Sequence, residues 1–89
     1  MYVTVIHTIH DPDKFWGAAG EVIPNLPEGV TLHSVLPNGN GSKAVCLWEA
    51  DSQEPVKKIV EDAAGDVSSN EYYEVNAENA QGLPSQAAA

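Results

Sequence analysis

The sequence predicts a single α+β domain in which four strands and two helices follow one another along the chain. Its 89 residues suffice for one modest hydrophobic core. β-branched residues alternate at the start of the chain, and residues 45–75 show an amphipathic helical pattern between two strand-like segments. Asn-Gly pairs within residues 37–41 are typical of a tight turn between two strands. These three observations define the fold class.

The first half of the chain predicts a strand, a helix and a second strand. The alternating segment Tyr2–Ile9 predicts the first strand. The Asp-Pro pair at residues 11–12 is typical of a helix start, because the aspartate can accept a first-turn amide hydrogen bond and proline suits the first helical position. We therefore expect a helix over Pro12–Val22 and, after a turn, a second strand over residues 30–36.

The second half of the chain predicts a strand, a helix and a last strand. Residues 43–50 are expected to pair antiparallel with the second strand. Ser52 is expected to cap the second helix, and Gly65 stands where a left-handed helix stop is expected. The last strand is expected over residues 70–76. The buried side of the second helix is predicted by the spacing of Val56, Ile59, Val60 and Ala63.

The order βαββαβ predicts the ferredoxin-like arrangement, a four-stranded antiparallel sheet with both helices on one face. The other sheet face then carries apolar residues, and an uncovered apolar face of this size favours association. We therefore expect a homodimer in which two sheets pack face to face as a dimeric α+β barrel. The domain is expected to span residues 1–76, and residues 77–89 to form a tail that is flexible or docked on a partner.

The charge balance limits the classes of partner. Thirteen acidic residues face four basic ones, all lysines, which gives a net charge of −9. Such an acidic chain is repelled by nucleic acid and by anionic membrane surfaces, so neither is an expected partner. The one cysteine, Cys46, cannot form an internal disulfide, and no signal-like or membrane-spanning segment is found. We expect a cytoplasmic protein.

One segment of the chain resembles a known family. The letters VCLWEADSQEPV, a helix ending in Ala-Gly and a closing YYEV resemble a small bacterial dimeric ferredoxin-like family that includes nickel-binding proteins. Ala64 stands where that family usually has a histidine, and Val60 where another is expected. The resemblance implies the same fold and a divalent transition metal such as nickel, held with fewer histidines. The matching residues are His7, Cys46, Leu47, Glu49, Ala50, Ser52, Glu54, Val56, Gly65, Tyr73, Glu74 and Val75.

His7 and His10 are the candidate metal ligands. Residues three apart on a regular strand point to opposite faces, so these two can share a metal only if the strand ends at about residue 9. Imidazole suits nickel, zinc or copper, and Cys46 or Glu49 on a neighbouring strand offers a further ligand. The simpler interpretation, which the spacing favours, is an exposed His10 beside the helix start and a hydrogen-bonded His7 at the sheet edge.

His33 is the candidate catalytic residue. Regular alternation places it on one face with Thr31 and Val35, and on a cavity wall it can accept or donate a proton near neutral pH. Cys46 is a weak candidate nucleophile, because burial between apolar neighbours raises the pKa of a thiol. Aromatic walls and hydroxyls for an apolar ligand pocket are offered by Tyr2, Thr4, Trp48, Tyr72 and Tyr73, although their composition favours a core or interface role. Only one of the adjacent Tyr72 and Tyr73 can point inward, and Tyr72 is the one taken as a ligand residue with Tyr2, Thr4 and Trp48.

Three classes of function remain open at this point. The first is a protein that binds a small ligand or a metal in a cavity between the sheets of a homodimer. The second is a cofactor-independent enzyme of the dimeric barrel type, a monooxygenase, cyclase or isomerase acting on a hydrophobic small molecule with His33 as acid and base. The third is a non-catalytic dimerisation module. The sequence does not show whether Cys46 and Trp48, or Val45, Leu47 and Glu49, face the cavity.

Overall fold

The computed structural model describes residues 1–84 and confirms the predicted order of elements. The bounds of the first strand and first helix agree with the prediction, whereas the last strand begins and ends two residues earlier, at Ser68 and Glu74. A short 3-10 turn, Ile23–Asn25, continues the first helix. The elements are β1 (Tyr2–Ile9), α1 (Pro12–Val22), β2 (Thr31–Pro37), β3 (Lys43–Glu49), α2 (Gln53–Ala64) and β4 (Ser68–Glu74).

The four strands form one antiparallel sheet in the order β2-β3-β1-β4, which is the ferredoxin-like arrangement. Alternate residues of β1 divide between two surfaces. Val3, Val5, His7 and Ile9 point to what we call the helix face, which both helices cover. The opposite surface, which we call the open face, carries from β1 the residues Tyr2, Thr4, Ile6 and Thr8.

The hydrophobic core lies between the helix face and the two helices. α2 contributes Val56 and Val60, which pack against Val3 and Val5 at the centre of the sheet. α1 contributes Phe15, which packs at the other end of the sheet in a second cluster. Val3, Val5 and Val56 are fully buried, so the central strand and α2 hold the layers together.

The ends of the helices agree only in part with the predictions. Asp11 caps α1, because its side chain accepts a hydrogen bond from the Lys14 amide at 3.2 Å. Ser52 occupies the N-cap position of α2, but its side chain makes no capping hydrogen bond. The prediction of a left-handed stop at Gly65 is wrong, since its φ is −58°. Glycine is needed there for close packing, because a Cβ would lie 2.6 Å from the Glu61 carbonyl oxygen.

The loop between β2 and β3 is the predicted tight turn and is tied to α1. The Asn38 amide donates to the Lys43 carbonyl at 2.8 Å, which closes the hairpin. Gly41 has a φ of 74°, a left-handed conformation that favours glycine. Its carbonyl accepts a hydrogen bond from the Trp16 indole nitrogen at 3.1 Å. The hairpin loop is therefore fixed against the first helix.

The chain continues past β4 alongside the N-terminus. The Val75 amide donates to the Tyr2 carbonyl at 2.9 Å, and farther on Leu83 is only 8% exposed. The predicted tail therefore includes a buried residue within its described part, while residues 85–89 lie outside the described residues. Within residues 1–84, neither helix has the length and apolar character needed to cross a membrane.

Candidate functional site

The open face of the sheet carries a set of exposed apolar side chains. The register places Ile6 beside Val45 and Val45 beside Leu36, so these three form a row across the central and edge strands. Tyr73 on β4 pairs with Thr4 in the next row. The exposed fractions are 37% for Ile6, 39% for Val45, 63% for Leu36 and 51% for Tyr73. Much of this apolar face is therefore not covered by residues 1–84.

A β-bulge in β2 places His33 on the open face. Leu32 pairs with Trp48 and Ser34 pairs with Leu47, so His33 is an extra residue in the register. The prediction that His33 and Val35 share a face is therefore wrong. Regular alternation is interrupted at the bulge, and Val35 packs against the core on the helix face.

His33 belongs to a cluster of three side chains at one end of the open face. Its Nε2 lies 2.8 Å from Oε1 of Glu49, and its ring centroid lies 5.7 Å from that of Tyr2. The His33 side chain is 20% exposed and the Glu49 side chain 44% exposed. An imidazole held by a carboxylate has a fixed orientation, which is the arrangement that general acid–base chemistry uses. The cluster can also position the polar group of a bound molecule.

The register separates the four residues predicted to bind a ligand. Val3 pairs with Trp48 and Val5 pairs with Tyr72, so both aromatic residues point toward the helices. The sequence alone did not show which residues of β3 face the cavity. The register shows that Val45, Leu47 and Glu49 share the open face. The predicted ligand residues divide into Tyr2 and Thr4 on the open face, both buried, and Trp48 and Tyr72 on the helix face.

Glu61 was missed by the sequence predictions, and Tyr73 was named there only as the alternative to Tyr72. Tyr73, rather than Tyr72, lies on the open face, and its position depends on where β4 begins. Glu61 lies on an exposed turn of α2 and accepts hydrogen bonds from Asn70 and Tyr72. Only the register of β4 against β1 reveals these placements, because neighbouring polar residues of a short edge strand show no clear alternation.

His7 is buried within a polar network rather than at the sheet edge. Its Nδ1 lies 2.6 Å from Oδ1 of Asn70, and its ring packs edge-on against Phe15 with centroids 5.0 Å apart. Asn70 Nδ2 in turn donates to Oε2 of Glu61 at 2.9 Å. The Ser68 hydroxyl also donates to Asn70 Oδ1 at 2.9 Å. Because an amide oxygen can only accept hydrogen bonds, the contact with Asn70 Oδ1 identifies His7 Nδ1 as the proton-bearing nitrogen.

The network shifts the pKa values of its titratable members. Burial lowers the pKa of His7, and the hydrogen bond with Asn70 and the charge of Glu61 only partly oppose this shift. Hydrogen bonds from Tyr72 and Asn70 lower the pKa of Glu61. Burial, together with the hydrogen bond to Glu61, raises the pKa of Tyr72. The network therefore favours a neutral His7 beside an ionised Glu61.

The two histidines predicted as metal ligands do not lie on one surface. His7 faces the helices and is 3% exposed, whereas His10 is exposed and its Nε2 lies 2.9 Å from Oγ of Ser69. Each ring is thus engaged with a different residue of β4. Among residues 1–84, no group of three or more histidine, cysteine, aspartate or glutamate side chains is placed to hold a metal ion.

A cavity lies between the helices and the helix face of the sheet. Its volume is about 50 Å³, and apart from His7 its walls are apolar or aromatic. Cys46 lines it, and burial raises the pKa of this thiol to about 11, which makes it a poor nucleophile. Trp48 also lines the cavity, and its indole nitrogen is the one buried side-chain N or O atom within residues 1–84 that has no hydrogen-bond partner.

Comparison of the chain with protein-family models, curated proteins and solved structures gives no match. Two places in the fold are candidates for a functional site. The open face offers an apolar surface with the cluster Tyr2, His33 and Glu49 at one end. The cavity between the helices and the sheet offers an apolar space, and Trp48 is among its lining residues.

Proposed function

We propose that the chain forms a homodimer through its open face and that the dimer binds a small, mostly apolar molecule between the two sheets. The bound molecule lies beside Tyr2, His33 and Glu49. The observation that carries this proposal is the uncovered apolar row Ile6, Val45 and Leu36 on the same surface as the polar cluster.

The composition of the open face supports a second copy of the chain as its cover. Monomeric proteins rarely leave a large contiguous apolar surface exposed to water, and a small domain gains stability by burying one. Lys43 and Glu71 flank the apolar row, so the face carries both signs of charge. A two-fold axis brings the same patch of both chains together and can set unlike charges against each other.

The cluster supports a ligand with at least one polar group. Two sheets facing each other enclose apolar walls, and binding pockets of this kind need only a few polar groups to orient their ligand. His33 and Glu49 provide a donor and an acceptor at one end of the face. The chain's net charge of −9 favours a neutral or cationic molecule over an anionic one.

The same residues favour a second candidate, a cofactor-independent enzyme of the dimeric barrel type. The 2.8 Å contact between His33 and Glu49 orients the imidazole for proton transfer to or from the bound molecule. The two candidate functions differ in the fate of the bound molecule: a binding protein releases it unchanged, whereas an enzyme releases a product. Mass spectrometry of small molecules extracted from the purified dimer, before and after incubation, distinguishes binding from turnover.

The substitution Leu36→Glu tests the dimer and its cavity together. Leu36 is 63% exposed in the single chain, so the monomer can accept the change, whereas in the dimer a carboxylate would be buried without a partner. We expect the dissociation constant of the dimer to rise roughly a hundredfold or more, because an unpaired buried charge costs about 3 kcal/mol or more. Light scattering measures the mass, and the fluorescence of N-phenyl-1-naphthylamine reports an apolar cavity.

Ile23→Glu is the matched control for this experiment. Ile23 is 43% exposed and lies at the end of α1, away from the open face, so the same change in charge should leave the dimer intact. A wild-type chain that stays monomeric at tens of micromolar contradicts the proposal. If the wild type is a dimer but gives no fluorescence increase with the dye, the result supports the interface and contradicts the ligand cavity.

A further inference from the structure

The hairpin loop between β2 and β3 contains two Asn-Gly pairs, at residues 38–39 and 40–41. An asparagine before glycine is prone to ring closure, in which the backbone nitrogen of the next residue attacks the side-chain amide. Glycine favours this reaction because it has no Cβ to crowd its nitrogen or restrict the main chain. The two pairs are equivalent in sequence, but the fold holds their glycines differently.

Gly41 is fixed on both sides. Its amide donates to the Asn38 carbonyl at 3.2 Å, and its own carbonyl accepts from the Trp16 indole nitrogen at 3.1 Å. Its φ of 74° favours glycine, and a Cβ there would lie 2.9 Å from the Trp16 nitrogen. The fold therefore requires a glycine at residue 41 and holds in place the nitrogen that would attack Asn40.

Gly39 has neither of these restraints. The residue is exposed, and within residues 1–84 its amide donates to no backbone acceptor. Its φ is not left-handed, and an added Cβ would have nothing within 4 Å. The turn therefore does not need a glycine at residue 39. Because the Gly39 nitrogen is bonded to the carbonyl carbon of Asn38, rotations within Asn38 alone bring it to the side-chain amide.

The side-chain contacts of the two asparagines do not distinguish them. Asn38 accepts at Oδ1 from the Lys43 amide and donates from Nδ2 to the Ser42 hydroxyl, both at 3.1 Å. Asn40 accepts at Oδ1 from the Ser42 amide at 3.1 Å and from the Ser42 hydroxyl at 2.6 Å. Each side chain thus has two exposed contacts to break before ring closure, so the difference lies in the glycines.

We propose that Asn38 is a site of spontaneous covalent modification in the folded protein and that Asn40 is protected. The Gly39 nitrogen loses its proton and bonds to Cγ of Asn38, while Nδ2 takes up the proton and leaves as ammonia. Water then adds to either carbonyl carbon of the cyclic imide, the bond from that carbon to the nitrogen breaks, and aspartate or isoaspartate results. Water is the only co-reactant, and no atom is oxidised or reduced.

The modification alters the hairpin. A carboxylate at residue 38 cannot donate to the Ser42 hydroxyl as Nδ2 does. Isoaspartate also adds one carbon to the main chain beside the hydrogen bond from the Asn38 amide to the Lys43 carbonyl. We expect the loop to loosen, so that the Trp16 indole N–H, bonded to Gly41, exchanges faster with solvent in the modified protein.

Incubation in mildly alkaline buffer made with heavy-oxygen water tests the proposal, with a urea-unfolded sample as reference. Mass spectrometry of fragmented peptides locates the heavy oxygen, which imide hydrolysis introduces. We expect residue 38 of the folded chain to react roughly tenfold faster than residue 40, because Gly41 must first break two hydrogen bonds that Gly39 does not make. In urea the two residues should react at similar rates.

Gly39→Ala and Asn40→Gln are the matched variants. Gly39→Ala fits the turn and should slow the reaction of Asn38 roughly tenfold, because a Cβ crowds the attacking nitrogen and restricts the main chain. Asn40→Gln keeps a side-chain amide and should leave the rate at Asn38 unchanged. Circular dichroism checks that both variants are folded.

Three results would overturn the proposal. The first is a folded wild type in which residue 40 reacts as fast as residue 38. The second is the absence of heavy oxygen at residue 38 of the folded chain, and the third is an unchanged rate in Gly39→Ala. An unchanged exchange rate of the Trp16 indole N–H in the modified protein would contradict the expected loosening of the hairpin. None of these measurements depends on the proposed dimer or its ligand.

Discussion

At the scale of single residues, the placement of His7 shows how a buried histidine depends on its surroundings. It is 3% exposed, so its charged form would lose hydration, and the neighbouring Glu61 compensates only in part. Asn70 fixes the ring by accepting at 2.6 Å. The residue thus supports the core as a neutral, oriented group, and its coordination of a metal would require this contact to break.

The lowered pKa of His7 predicts a loss of stability in mildly acidic solution. The unfolded chain takes up a proton near the ordinary value of 6.5, while the folded chain resists it. The unfolded state therefore binds more protons below that value, and the free energy of unfolding falls as the pH decreases. We expect the urea midpoint of the wild type to decrease between pH 7.5 and 5.5, and to decrease less in His7→Gln.

His10→Gln is the control for this measurement, because the His10 side chain is exposed and its Nε2 contacts Oγ of Ser69 on the surface. The urea midpoint of His10→Gln should decrease with pH as much as that of the wild type. Glu61 does not interfere in this range, since its pKa is lowered by the hydrogen bonds from Tyr72 and Asn70. An equally steep decrease in His7→Gln would show that other groups cause the pH dependence.

At the scale of secondary-structure elements, substitution by alanine should change the free energy of unfolding in opposite directions at two glycines, one inside a helix and one directly after a helix. Gly17 lies inside α1 with nothing within 4 Å of an added Cβ, whereas Gly65 follows α2 with the Glu61 carbonyl oxygen 2.6 Å away. Gly17→Ala should raise the free energy of unfolding by about 0.5–1 kcal/mol. Gly65→Ala should lower it by about 1–3 kcal/mol, because the end of the helix must move.

Thermal and urea unfolding of both variants measures these changes, with the wild type as reference. A similar gain in both variants would mean that the contact at Gly65 relaxes without cost. Because neither glycine belongs to the polar cluster on the open face or to the walls of the interior cavity, the two substitutions should leave ligand binding unchanged.

The sequence predicted the elements well because their ends carry local chemical signals. The Asp-Pro helix start and the Asn-Gly turn fixed β1, α1 and the β2–β3 hairpin, and all three are confirmed. The β2 bulge was not predicted, although the two consecutive polar residues His33 and Ser34 interrupt the alternation at this position. The direction of Trp48 was also not predictable, because β3 has apolar residues on both faces. The site depends on these two features, so its composition required the structure.

At the scale of the whole molecule, the net charge of −9 on each chain opposes the proposed dimer. Two such chains repel each other over distances comparable to the Debye length, about 10 Å at 0.1 M salt. We therefore expect the dimer to become tighter when the salt concentration rises from 50 to 500 mM, as measured by sedimentation equilibrium. An interface held mainly by pairs such as Lys43 with a carboxylate would weaken instead.

The bulge at His33 adds an imidazole to β2 without changing the face on which the other β2 residues lie. If residue 33 were deleted, Thr31, Ser34 and Leu36 would remain on one surface, and Leu32 and Val35 on the other. The imidazole is therefore an insertion into an otherwise complete strand. A lineage of such proteins can gain or lose this group through a single codon insertion or deletion, while every other residue of the strand keeps its neighbours.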